Sequence, residues 1–171
     1  DERSFSGKRS LRLVAPTTYP QFLGWGLGFG TSMASYDVGG KDWGKYNRIH
    51  FYIYPDCGGA RSIYLNLYVE NDGRIKVPDK YGREGYHEIN LINGQWNECF
   101  VEMSGLPRDK VTKLSFAIEV FGKERTMDDS LKFDIDAVSL QKIENPEVVS
   151  GWEPAENRII FSTTGYDPAG E

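Results

Sequence analysis

Aliphatic and aromatic residues fall at every second position through much of this chain. Ile49, Phe51 and Ile53 alternate with His50, Tyr52 and Tyr54, and Ile63, Leu65, Leu67 and Val69 alternate with Tyr64, Asn66, Tyr68 and Glu70. A period of two marks a strand with one buried face. The pattern predicts strands near 9–15, 21–30, 48–54, 62–70, 86–92, 96–103, 112–121 and 131–141. Turn-forming groups separate them, among them Pro55-Asp56-Cys57-Gly58-Gly59, Asn71-Asp72-Gly73, Asn93-Gly94 and Gly105-Leu106-Pro107. Asn93-Gly94 between two strand-like runs predicts a hairpin, because both residues tolerate positive φ. The stretch 31–47 reads as a long loop. About eight strands without a helical period predict an all-β fold, an antiparallel β-sandwich or jelly roll.

The pattern breaks after Lys142. Glu144-Asn145-Pro146-Glu147 leads through Val148 to Gly151-Trp152-Glu153-Pro154 and reads as a linker. The expected organisation is a sandwich domain over 1–142, a linker over 143–156, and the start of a following β domain, or an ordered tail, over 157–171.

Composition narrows the function classes. The net charge is −5, with basic residues scattered, which argues against a nucleic-acid partner. No apolar run is long enough to span a bilayer. The chain opens on Asp1-Glu2-Arg3 without a leader pattern, the start expected of a mature or excised chain, so secretion stays compatible. Two cysteines, Cys57 and Cys99, make no disulfide framework; they could pair across the sandwich, but separate buried thiols are the expectation. His50 and His87 are too few and too isolated for a zinc site.

The candidate chemistry lies in the polar half of the alternation. If the aliphatic positions of 49–54 and 63–70 face the core, the opposite side carries Tyr52, Tyr54, Tyr64 and Tyr68 with His50, Asn66 and Glu70. Paired as a hairpin, these strands would merge the tyrosines into one surface. Aromatic rings flanked by amides and carboxylates suit sugars, whose C–H faces pack on rings while their hydroxyls take hydrogen bonds. The other reading is that the rings lie under the 31–47 loop or against a neighbouring domain. The run Phe22-Leu23-Gly24-Trp25-Gly26-Leu27-Gly28-Phe29-Gly30 leaves one strand face bare, open to a ligand or a covering ring. Trp25 and Trp43 are the further aromatic candidates.

Asp136 in Phe133-Asp134-Ile135-Asp136-Ala137-Val138-Ser139-Leu140 shares its parity with Val138 and Leu140, so it is expected to point inward. A buried carboxylate needs a cation or several N–H donors. Calcium with Asp136, the carbonyls around Lys8, and Glu2 is one solution. A carboxylate held by backbone N–H groups or by arginine is the other.

Several stretches resemble galactose-binding-like carbohydrate-binding modules of jelly-roll fold. Phe5-Ser6-Gly7-Lys8-Arg9-Ser10-Leu11-Arg12-Leu13 is similar to their SG-x-x-SL-x-V opening, and residues 46–55 to their Y-x-x-I-x-F-W-V-Y strand. Gly94-Gln95-Trp96-Asn97 is similar to their G-x-W, and Asp134-Ile135-Asp136-Ala137-Val138-Ser139-Leu140 to their closing I-D-x-V-x-L. The resemblance covers about residues 4–141. It implies a non-catalytic module that binds a polysaccharide or oligosaccharide, secreted, periplasmic or at the cell surface. It also implies a structural calcium on Asp136 with a carbonyl from the SG-x-x-S turn. The tail 157–166 resembles the opening of the immunoglobulin-like domain before some glycoside hydrolase catalytic domains. A modular bacterial parent, with an adjacent catalytic domain as partner, is therefore expected.

Catalysis is the weaker reading. A glycosidase needs two carboxylates facing one cleft, and Asp134 and Asp136 with Glu119 or Glu70 are the available set. The Glu-x-Asp-x-x-Glu run of jelly-roll glucanases is absent, as are the Gly-x-Ser-x-Gly elbow and the His-Glu-x-x-His zinc helix. A third reading, a structural brace for a neighbouring catalytic domain, uses the same fold with the tyrosine face buried.

Overall fold

Strict alternation carries straight into burial. Ile49, Phe51 and Ile53 are wholly buried, with the residues between them nearer the surface, and Ile63, Leu65, Leu67 and Val69 are buried as well, together with Asn66 between two of them. Burying each such side chain stabilises the fold by about 1.5–3 kcal/mol relative to leaving it exposed. The computed structural model describes residues 3–16, 29–75, 87–123 and 130–145. Among these, the strands are β1 (Leu11–Pro16), β2 (Phe29–Lys41), β3 (Arg48–Asp56), β4 (Ala60–Asn71), β5 (Arg74–Ile75), β6 (His87–Leu91), β7 (Asn97–Glu102), β8 (Val111–Lys123) and β9 (Ser130–Gln141), and none of the described residues is helical.

The strands form two antiparallel sheets, β1-β9-β3-β7 and β2-β8-β4-β5, with β6 also paired to β4. β1 pairs with β9, β2 with β8, β3 with β7 and β4 with β6. The chain is thus one long nested hairpin rolled over on itself, which is the jelly-roll connectivity. The expected fold class holds. Phe51 and Phe116, from opposite sheets, meet edge to face at 5.2 Å in the core between them.

Two local expectations need correction. Most of the stretch 31–47 is not a loop, because only 42–47 is turn and β2 runs from Phe29 to Lys41 along β8. As an edge strand of small and polar residues it lacks the aliphatic alternation that marks its neighbours. It is held by its backbone ladder and by a 2.7 Å hydrogen bond between the hydroxyls of Ser35 and Ser115. Asn93-Gly94 makes no hairpin, since β6 belongs to the second sheet and β7 to the first. Gly94 does take positive φ, but in a connection that crosses between sheets. The hairpin forms instead at Asp72-Gly73, both at positive φ, with Asn71 paired to Arg74. The linker beyond 145 and the segment 157–171 lie outside the described residues.

Candidate functional site

β3 and β4 do not pair. The turn at Cys57-Gly58-Gly59 carries the chain from one sheet to the other, so the expected single tyrosine surface is split. His50, Tyr52 and Tyr54 lie on the outer face of the first sheet. Tyr64, Asn66, Tyr68 and Glu70 lie on the outer face of the second. Asp134 and Asp136 share the first face, so they and Glu70 cannot line one cleft.

The first face is crossed by the chain's own residues 3–8. Phe5 stacks on Tyr52 with ring centroids 3.5 Å apart and planes 12° from parallel. Trp96 stands edge-on to Phe5 at 5.7 Å and to Tyr54 at 5.6 Å. Arg3 sits over the Tyr54 ring at 3.8 Å and reaches Asp56 and Asp134, each at 3.4 Å. Arg12 grips Asp134 through Nε at 2.7 Å and through a second nitrogen at 3.1 Å. That bidentate pair explains how Asp134 is tolerated at 1% exposure. Beside the rings, Glu98 Oε1 accepts from His50 Nε2 at 2.9 Å and from the Tyr52 hydroxyl at 3.0 Å. The bond from His50, then that from Tyr52, hold the Glu98 carboxyl below the ordinary glutamate value. The same bond to Glu98 holds the Tyr52 phenol above its ordinary value.

Asp136 does not point into the core. Ala137 adopts φ 53°, and the β3–β9 register shifts between His50 and Tyr52, opposite Ser139 and Asp136. This bulge inverts the alternation, so Asp136 shares parity with Leu140 without sharing its face. Its Oδ2 accepts the N–H groups of Phe5 and Ser6 at 2.8 and 2.9 Å, and its Oδ1 accepts that of Ala137 at 2.7 Å. Burial alone would raise its carboxyl, but the N–H groups of Ser6, Ala137 and Phe5 outweigh burial and hold it below the ordinary aspartate value. This is a nest of donors, the second of the two solutions read from the sequence. The contacts that Asp136 makes among the described residues all come from backbone N–H groups. Lys8 is exposed, Glu2 is outside the described residues, and no group of three or more metal-ligating side chains occurs among those described.

The second face is built differently. The register sets Asn66 beside Ala117 and Tyr68 beside Ser115 on β8, with Met33 and Ser35 beyond them on β2. Ala117 and Ser115 are buried beneath their larger neighbours. Tyr64 and Tyr68, both half-buried, flank Asn66 along the strand. Asn66 is only 3% exposed, and its Oδ1 has no hydrogen-bond partner among the described residues. Glu70 closes one end, held by the Thr112 hydroxyl at 2.9 Å and by Lys113 at 3.6 Å.

Of the remaining candidates, Trp43 belongs to the core at 8% exposure and offers no surface ring. Trp25 lies outside the described residues. Cys57 and Cys99 are free and buried. Burial pushes both thiols up to about 12, helped by Asp56 at Cys57 and by Glu98 at Cys99. Sequence reasoning missed Phe5, Arg3, Trp96 and Glu98 as members of an aromatic cluster. The available signal was Glu98 on the strand that pairs with β3, opposite Tyr52.

No family model and no curated protein matches the sequence. Similar folds occur among solved structures. One, from a study of carbohydrate-binding modules of the β-sandwich superfamily, gives a TM-score of 0.48 at 13% identity, covering 82% of this chain and 50% of that one, so this chain spans half its length. A family 11 carbohydrate-binding module from Clostridium thermocellum, in complex with a β-1,3-1,4-mixed-linked tetrasaccharide, gives 0.38 at 13% identity, covering 82% and 93%. TmCBM61 in complex with β-1,4-galactotriose gives 0.38 at 12% identity, covering 81% and 74%.

Proposed function

We propose that this chain is a non-catalytic carbohydrate-binding module whose second-sheet outer face, centred on Asn66 between Tyr64 and Tyr68, holds a polysaccharide or oligosaccharide. The observation that carries this reading is the buried Asn66 Oδ1 without a partner. Such an acceptor costs about 1–3 kcal/mol when unpaired. A ligand hydroxyl that displaced the groups covering Oδ1 would supply the missing donor. Tyr64 and Tyr68 are four residues apart on one strand face, a span of about 13 Å, so more than one sugar ring fits along them. Ring stacking and hydroxyl recognition by an amide are what a pyranose surface calls for.

In this reading the module works outside the cell as part of a larger glycan-processing protein and delivers its neighbour to the substrate. Affinity is modest, roughly micromolar to millimolar, because a face buries few ligand atoms. Calorimetry against soluble plant and host polysaccharides tests the reading, with the mixed-linked tetrasaccharide and galactotriose as first probes. Tyr64→Ala and Tyr68→Ala should each weaken binding by about 1 kcal/mol or more while leaving the fold intact. If both variants stay folded and bind as well as wild type, the face is not the site. If both unfold, the rings are structural and the brace reading replaces this one.

A further inference from the structure

The stack of Phe5 on Tyr52 is close to a full sandwich, with centroids 3.5 Å apart and planes only 12° from parallel. Two aromatic rings favour offset or edge-to-face contact over this arrangement, because their negative faces repel. A saturated ring with a C–H face carries no such penalty and suits the same position better. We propose that the outer face of the first sheet is a second pyranose site, which residues 3–8 cover in the absence of ligand, with Phe5 standing where the sugar ring would lie. This rests on the sugar-binding reading only for the class of ligand.

The surroundings of Tyr52 complete a sugar platform. Trp96 forms a wall at the edge of the stack. Glu98 sits at the rim with its side chain 59% exposed, and the hydrogen bonds from His50 and Tyr52 both fall on Oε1. The carboxylate is thereby oriented as an acceptor beside the ring. Sugar hydroxyls need such an acceptor at the margin of a stacking surface.

The cover is pinned at its ends and light at its centre. Arg3 is clamped by Asp134, Asp56 and the Tyr54 ring, and its carbonyl accepts the Ser10 hydroxyl. Between these anchors the segment turns through Gly7 at φ 69°, and Phe5 remains 45% exposed despite its stack. The two amides that bind Asp136 do so at exposed positions, where water replaces them at small cost. Phe5 can therefore swing out without disturbing Arg3 or β1.

Competition between Phe5 and ligand gives the test. In a Tyr64→Ala, Tyr68→Ala background, which disables the second face, the tetrasaccharide and the galactotriose are titrated against the chain with Phe5 and with Phe5→Ala. Removing the ring should tighten binding about fivefold, the worth of one aromatic stack. Adding Tyr52→Ala should abolish it. In the wild-type chain, amide hydrogen exchange at Phe5 and Ser6 should speed up as ligand is added, a readout that needs no variant to fold. Unchanged affinity in Phe5→Ala, or unchanged exchange at both amides under saturating ligand, overturns the proposal. Neither result bears on the second face, which stands or falls on Tyr64 and Tyr68 alone.

Discussion

Asn93 and Cys57 exchange two hydrogen bonds, the Cys57 N–H donating to Asn93 Oδ1 and Asn93 Nδ2 donating to the Cys57 carbonyl, each at 3.0 Å. The two residues belong to different connections, one from β3 to β4 and one from β6 to β7, and both connections cross between the sheets. The Gly94 N–H adds a third bond, to the Pro55 carbonyl at 2.9 Å. One side chain thus splices two arches and fixes how the sheets close at that end.

Asn93→Ala should destabilise the fold by about 1–3 kcal/mol, because it strands a partly buried N–H and a carbonyl at Cys57. Urea unfolding measures this, with an unchanged slope expected since no strand is lost. A loss under about 0.5 kcal/mol would mean that water takes over both bonds, and the splice would then be incidental.

Asp136 makes the seating of residues 3–8 sensitive to acid. Its carboxyl lies below the ordinary value when folded, so its contribution is complete above that ordinary value and is lost as pH falls through the folded one. Asp134, on the same strand and face, is occupied by Arg12 and Arg3 and does not compete for the Phe5 and Ser6 amides. Amide shifts of Phe5 and Ser6 followed from about pH 7 to about pH 2 should hold steady, then move together below about pH 4. The Asp136→Asn variant should lack that step. Movement in the neutral range instead would show that another group controls the segment.

The strands were legible because their inward residues are aliphatic and regular. The expected 48–54, 96–103, 112–121 and 131–141 lie within a few residues of β3, β7, β8 and β9. Alternation reports which side of a strand is buried, but not which strand lies beside it. Tyr52 and Tyr64 are both outward, as expected, yet they stand on opposite surfaces. The parity argument failed at Asp136 because a bulge at Ala137 inserts one residue into the count. Phe5 was unreadable as a partner of Tyr52, since a short non-repetitive segment carries no period to show where it lies.

At Asn66 fold and function should pull apart. Its Oδ1 is buried and unpaired, so the folded chain bears a desolvation cost that an apolar side chain of similar shape would not. Asn66→Leu should therefore stabilise the protein, by about 0.5–2 kcal/mol, where most buried substitutions do the reverse. The same change removes the acceptor for a ligand hydroxyl. Sites built to bond a hydroxyl lose heavily when one partner is missing, so glycan binding should weaken at least tenfold, about 1.4 kcal/mol. Thermal or urea unfolding read beside calorimetry separates the outcomes. A more stable protein that binds poorly is the mark of a residue kept for ligand at the expense of stability. A less stable one would show that what Asn66 contributes to the fold, its Nδ2 donors included, outweighs the cost of the unpaired Oδ1.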